Sequence, residues 1–220
     1  MTLAVLETVA WILLLAGAVL GSAGDLRWPM AWAFLLVYVS FAVVALFAVS
    51  PSLIAERSSL VAKGERADAA LSITFALLLY PGTLVACGLD RRFGWSAPLP
   101  LLAQASALGL FVGGYAFALW AMRANPFFST VVRIQSERGH QLVDRGPYRW
   151  IRHPGYAGAV FSHLLLPIAL GSLWGLLPAS LGCLLVALRI LGEERVLRRG
   201  LEGYADYMLH VRWRLVPGVW

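Results

Sequence analysis

Residues 146–158 read GPYRWIRHPGYAG, and this polar stretch lies between long apolar segments. It brings arginines, a histidine and two tyrosines next to hydrocarbon, where ionisable groups are costly, so we interpret the cluster as functional. Further charged and aromatic residues that could complete it follow near the end of the chain: Glu193, Glu194, Tyr204, Tyr207, Arg212 and Arg214.

The composition predicts an all-α integral membrane protein, because 60% of the 220 residues are hydrophobic and only 14% are charged. A helix needs about 20 apolar residues to cross roughly 30 Å of hydrocarbon. Six segments meet or approach this length: residues 3–20, 29–49, 69–89, 99–122, 156–170 and 174–191. Only residues 171–173 separate the last two, so we predict a tight helical hairpin there, and five crossings remain an alternative to six.

The distribution of basic residues predicts the orientation. If six segments alternate across the membrane, all of the 18 Lys and Arg residues except Arg27, Arg91 and Arg92 share one face. The positive-inside rule then makes both termini cytoplasmic. The net charge of +6 therefore reflects the orientation in the membrane and does not indicate binding to nucleic acid. Lys63 is the single lysine, which is typical of a bacterial genome rich in G and C and favours a bacterial inner membrane.

The chain divides into two regions. Residues 1–122 are apolar helices 1–4 with short connections, whereas residues 123–220 carry most of the chemistry. Between the fourth and fifth helices we predict a loop or short hairpin. Pro154 is placed to open the fifth helix at its first turn.

Each polar group also has a structural interpretation. Arg145, Arg149 and Arg152 could be interfacial anchors, and His153 could cap a helix. Tyr204 and Tyr207 could belong to an aromatic belt. The adjacent Glu193 and Glu194 point about 100° apart on a helix, so we expect at least one to face inward. His163, Glu7, Cys87 and Cys183 are predicted to be structural, and the pairs Gly17/Gly21 and Gly109/Gly113 to be helix contacts.

The ordered set of motifs resembles the isoprenylcysteine carboxyl methyltransferase superfamily, which includes phospholipid methyltransferases. It consists of Arg-His-Pro-x-Tyr at residues 152–156, the Glu193-Glu194 pair, and Tyr-x-x-Tyr at residues 204–207. The resemblance extends over roughly residues 123–220 and is nearest to prokaryotic members. It implies methyl transfer from S-adenosylmethionine in a cytoplasmic pocket, without a metal. No G-x-G-x-x-G motif for a dinucleotide fold is present.

The resemblance also implies roles for individual residues. The expected cofactor-binding residues are His140, Leu142, Val143, Tyr148, His153, Tyr156, Glu193, Glu194, Tyr204 and Tyr207. Arg212, Arg152 and Glu194 are the candidates for catalysis, since a guanidinium fork suits an anionic acceptor and a carboxylate could act as a base.

The acceptor is expected to be lipophilic, with an isoprenylcysteine-type carboxylate first and a phospholipid amine or a small thiol as alternatives. We predict that it enters from the bilayer and that Asn125, Phe127, Phe128 and Arg212 bind it. No obligate protein partner is indicated. A membrane reductase of the sterol-reductase type, using NADPH, is the alternative of a different class, although Glu193 and Glu194 are poor neighbours for its ribose phosphate.

Overall fold

A computed structural model describes residues 2–48, 74, 76–129 and 132–220, and every described element is helical. The α-helices are α1 (Thr2–Ala16), α2 (Pro29–Ala48), α3 (Thr83–Phe93), α4 (Leu101–Ala124), α5 (Pro154–Ala169), α6 (Leu176–Gly200) and α7 (Tyr204–His210). Two π-helical turns, Gly17–Gly21 and Leu78–Gly82, adjoin α1 and α3. Two 3₁₀ turns, Ser136–Arg138 and Gly146–Arg149, lie between α4 and α5.

The protein is an integral membrane protein with three described helices, α2, α4 and α6, that are long and apolar enough to span a bilayer. Each predicted apolar segment has a helical counterpart, whereas the count of six crossings stays a prediction. The beginning of the third segment and the basic residues Arg57, Lys63 and Arg66 lie outside the described residues.

Buried aromatic polar groups join the helices in the middle of the bundle. The Trp11 indole donates to the Tyr38 hydroxyl at 2.9 Å, and the Tyr80 and Tyr115 hydroxyls are 2.6 Å apart. The imidazole of His163, which is fully buried, meets the Tyr80 ring edge-on at 4.2 Å between centroids. Residues from α1, α2, α4, α5 and the turn before α3 thus share one cluster, which supports the relative placement of these helices.

Glycine sets the contact between α4 and α5, but at positions other than those predicted. A Cβ atom on Gly158 would clash with the Gly114 carbonyl oxygen, so the two backbones touch. By contrast, no atom of the described residues lies within 4 Å of the positions where Cβ atoms on Gly17, Gly21, Gly109 and Gly113 would be. The prediction that these four make helix contacts is wrong, because the spacing alone did not show which face of each helix is covered.

Helices α5 and α6 form the predicted hairpin. Pro154 is the first residue of α5, as predicted, and the connection after Ala169 is closed by a hydrogen bond of 2.9 Å from the Ser172 amide to the Pro167 carbonyl. Helix α6 continues beyond the apolar segment to Gly200. Glu193 and Glu194 are therefore part of a helix that begins in the membrane, and their side chains are held in register with α5.

Candidate functional site

The polar site is assembled by the last ten residues, which we call the C-terminal strap (residues 211–220). The strap runs beside the start of α5, where its Trp213 and Arg214 carbonyls accept hydrogen bonds from the backbone amides of Arg152 and His153 at 2.9 and 3.0 Å. Its own end folds back, since the Trp220 carbonyl accepts from the Arg214 amide at 2.9 Å. The strap thereby fixes the backbone of the Arg-His-Pro motif against the bundle.

Arg152 ties three parts of the site together. Its guanidinium is almost fully buried and donates from Nε to Glu194 Oε1 at 2.7 Å. The same group donates from Nη1 to the carbonyls of Val211 and Arg212, both at 2.7 Å. These three bonds join α6, the segment before α5 and the strap. Arg152 therefore fixes the positions of these three parts of the site relative to one another.

Glu194 has both carboxylate oxygens engaged. Besides Arg152, Oε1 lies 3.3 Å from His153 Nε2, and Oε2 accepts from Arg214 Nε at 2.9 Å. Arg214 in turn lies over the Trp220 ring, with 5.1 Å between the guanidinium carbon and the ring centroid. Only 5% of Glu194 is exposed. This carboxylate is the centre of a buried ionic network and has no free oxygen for a ligand.

Glu193 is placed differently from Glu194. Its Oε2 accepts from the Tyr156 hydroxyl at 2.9 Å, and that hydroxyl accepts from Arg189 Nε at 2.7 Å. Within the described part of the chain, Glu193 Oε1 has no hydrogen-bond partner, and the side chain is partly exposed. Arg189, which was not among the predicted site residues, is buried and orients Tyr156.

The Tyr204 hydroxyl lies in the same region as Glu193 and Glu194. Tyr204, at the first position of α7, is buried, and among the described residues its hydroxyl has no partner. Burial raises the pKa of this phenol, and the charges of Glu194 and Glu193 raise it further. A buried hydroxyl without a partner is costly, so Tyr204 indicates a place where a ligand would complete the hydrogen bonding.

Tyr207 and Tyr148 hold α7 against the site. The Tyr207 hydroxyl donates to the Tyr148 carbonyl at 2.6 Å, and the Asn125 amide lies 3.4 Å from the Tyr148 hydroxyl. Leu142 packs against the cluster of Tyr204, Tyr207 and Val211, whereas Val143 is half-buried. Of the predicted cofactor residues, Leu142 and Tyr207 therefore pack with Tyr204, and Tyr148 is joined to them through Tyr207.

The loop after α4 covers one edge of the site. The Phe127 ring lies against the His140 imidazole, with 4.5 Å between centroids. Burial lowers the pKa of His140, and the charges of Arg133 and Arg138 lower it further. A Cβ atom on Gly155 would be 2.5 Å from the Phe128 ring, so Phe128 lies directly on the start of α5. Of the two residues predicted to bind the acceptor, Phe127 thus lies beside His140, a predicted cofactor residue, and Phe128 lies on α5.

An apolar groove of about 560 Å³ lies on the other side of the strap. Its walls are α4, the start of α5 and the strap, lined by Gly113, Gly114, Phe117, Trp150, Ile151, Ala157, Gly158, Phe161, Leu215, Val216 and Pro217. Sequence reasoning missed this groove because Gly113 was interpreted as a packing residue. The Gly113-Gly114 pair was the available signal, since Gly114 brings the helices together while Gly113 leaves space beside them.

The groove and the polar site share their walls. Ile151 and Ala157 line the groove, and the residues between them include Arg152, His153 and Tyr156 of the polar site. The Arg212 side chain is exposed on the strap, and its carbonyl is bound by Arg152. A molecule with an apolar part in the groove could therefore present a polar end near the strap.

Comparisons with known proteins bear on this region. The family model for the isoprenylcysteine carboxyl methyltransferase (ICMT) family matches residues 107–199. The lamin-B receptor of Drosophila melanogaster is 33% identical over 126 residues, 54% of this chain and 16% of the receptor. Protein-S-isoprenylcysteine O-methyltransferase of Saccharomyces cerevisiae is 32% identical over 80 residues, 34% of each chain. Uncharacterized protein YpbQ of Bacillus subtilis is 33% identical over 61 residues, 27% of this chain and 36% of that protein. The matched parts thus span at most about a third of these relatives.

The ionic network predicts different effects for the two glutamates. Glu194→Gln removes the negative charge between Arg152, His153 and Arg214 and turns an amide N–H toward a guanidinium. Breaking a buried ion pair costs about 3–5 kcal/mol, so we expect a large drop in the midpoint of thermal unfolding in detergent. Glu193→Gln, which loses one hydrogen bond from Tyr156, should lower the midpoint much less.

The exposed Glu202, in the connection between α6 and α7, gives the control variant Glu202→Gln. Its midpoint should equal that of the parent protein. If Glu194→Gln unfolds at the same temperature as Glu202→Gln, the network does not hold the site together.

Proposed function

We propose that the protein is a membrane methyltransferase that uses S-adenosylmethionine, because residues 107–199 match the family model for the isoprenylcysteine carboxyl methyltransferase family. The proposed acceptor is lipophilic and carries a carboxylate of the isoprenylcysteine type. The observation that carries the proposal is the Glu193 oxygen that has no partner among the described residues, in the same region as the Tyr204 hydroxyl, which also lacks a partner there. An apolar groove, lined in part by the strap, adjoins this site. We place the site and both termini in the cytoplasm of a bacterium, at the inner membrane.

The residues present suit the cofactor. S-adenosylmethionine supplies a methyl group on a positively charged sulfonium, which needs no metal to be transferred. Glu193 offers a carboxylate to a cationic ligand, and the Tyr204 hydroxyl can form the hydrogen bond that it lacks within the described chain. The His140 and Phe127 ring pair offers an aromatic surface to adenine. Tyr156 and Arg189 hold Glu193 in place.

The engagement of Glu194 favours an acceptor that is already ionised. An amine or thiol acceptor would need a base, and the Glu194 oxygens are both bound by cations. A carboxylate is ionised near pH 7 and needs only to be oriented. Arg212, exposed on the strap, is our candidate for that role, because a guanidinium binds a carboxylate with two parallel hydrogen bonds. Arg152 and Glu194 are then positioning residues.

The groove supports a lipophilic acceptor. It is lined by aromatic and aliphatic side chains and glycine, and its volume is in the range of sites for small organic ligands. An apolar chain placed there would leave water or lipid and would bring its polar end to the strap. Binding then holds the two reacting groups close together, which is the main contribution that a protein makes to a transfer of this kind.

Binding of the cofactor tests the proposal. We expect calorimetry on detergent-purified protein to show binding of S-adenosylmethionine or its demethylated product in the micromolar range. Glu193→Gln should weaken it by roughly tenfold or more, since a hydrogen bond to a charged group contributes about 1.5–3 kcal/mol. Glu202→Gln should bind like the parent. Binding heat with NADPH, and none with S-adenosylmethionine or its demethylated product, would instead identify a reductase.

A matched pair of glycine variants tests the groove. Gly113 and Gly109 both lie on α4 with open space at the side-chain position, but only Gly113 lines the groove. Gly113→Leu should fill the groove and raise the KM for a prenylated cysteine acceptor by about tenfold or more, with cofactor affinity unchanged. Gly109→Leu should change neither value. Equal KM values for the two variants would place the acceptor elsewhere.

A further inference from the structure

Three arginines at one end of the bundle are exposed and have no partner in the described part of the chain. Arg123 is in the last turn of α4, Arg145 precedes the 3₁₀ turn Gly146–Arg149, and Arg149 ends it. Within the described residues, none of their guanidinium groups forms an ion pair or a hydrogen bond. The neighbouring Asp144 is exposed and likewise unpaired there, so the group keeps a net positive charge.

The backbone brings these arginines together. A Cβ atom on Gly146 would lie 3.2 Å from the Ala124 Cβ and 3.5 Å from the Trp120 indole nitrogen. Gly146 also has a φ of +59°, which favours glycine. The 3₁₀ turn therefore rests directly on the end of α4. The contact therefore brings together the two backbone segments that carry Arg145, which precedes Gly146, and Arg123, which precedes Ala124.

Two tryptophans mark the level of the membrane surface at this place. The Trp120 and Trp150 rings meet at an angle of 66° with 5.6 Å between centroids. They keep 43% and 56% of their surface exposed, respectively. Tryptophan is enriched where the hydrocarbon meets the head groups. The exposed parts of the two indoles are thus available to acyl chains, and this level in the bilayer would bring the nearby arginines close to lipid phosphates.

We propose that Arg123, Arg145 and Arg149 bind the head group of an anionic phospholipid whose acyl chains lie against Trp120 and Trp150. The cations match a phosphate, since arginine binds phosphate oxygens with two parallel hydrogen bonds. A free phosphate ion would leave the indole surface uncovered, so the lipid fits both halves of the surface. This lipid would stand beside the apolar groove, which Trp150 also lines, and is distinct from the methyl acceptor.

The test compares two triple variants that lose the same charge. One is Arg123→Gln, Arg145→Gln and Arg149→Gln. The control is Arg195→Gln, Arg198→Gln and Arg199→Gln, at the exposed end of α6. Native mass spectrometry in detergent measures the affinity for phosphatidylglycerol and for phosphatidylcholine, and size-exclusion chromatography checks the fold. No methyl cofactor or turnover is involved, so the result is independent of the proposed function.

We expect parent and control to prefer phosphatidylglycerol, and the first triple variant to bind it roughly tenfold or more weakly, because each arginine near an anionic surface contributes to attraction. Single variants Arg123→Gln and Arg149→Gln should each lose part of this affinity, and they carry the test if the triple variant does not fold. Equal loss in the control variant would overturn the proposal, as would equal binding of phosphatidylcholine. Competition by inorganic phosphate as strong as that by the lipid would also contradict it, since the site would then be one for a free anion.

Discussion

One carboxylate organises the polar end of this protein. Glu194, on α6, is bound by Arg152 and His153 from the start of α5 and by Arg214 from the strap. Taking a carboxylate and two guanidinium groups out of water has a high cost, so such a network is weak evidence of stability. The network instead determines how the three segments are arranged. A buried charge without its partners is unfavourable, and few other arrangements of these segments would give the Glu194 carboxylate all of its partners.

The arrangement of Glu193 follows from that constraint. Because Glu194 points into the network, the preceding residue, Glu193, is turned by about 100° around the helix, and its carboxylate lies beside Tyr156. The strap that carries Arg214 also supplies Leu215, Val216 and Pro217 to the apolar groove. The same buried contact therefore determines where a cationic ligand and an apolar ligand could approach each other.

The sequence predicted the helices and the polar residues well, because apolar runs and charges near them leave a strong signal. The sequence could not show which of Glu193 and Glu194 is buried, since both are glutamates and are adjacent in the chain. Only the path of the strap determines which of the two carboxylates is enclosed. The sequence also did not predict the apolar groove. Gly113 and Gly109 have the same spacing pattern, and the difference between them depends on where α5 crosses α4. Arg189 and Trp220 were not recognised as site residues because their partners are distant in sequence.

The most direct test of the central claim is an experimental structure of the protein in lipid with the demethylated cofactor product bound. We expect the product to contact Glu193 and Tyr204, while Glu194 stays bound to Arg152, His153 and Arg214. Contact of the product with Glu194 and separation of these ion pairs would contradict the assignment of the two glutamates. Density for the product at the opposite end of the bundle would contradict the location of the site.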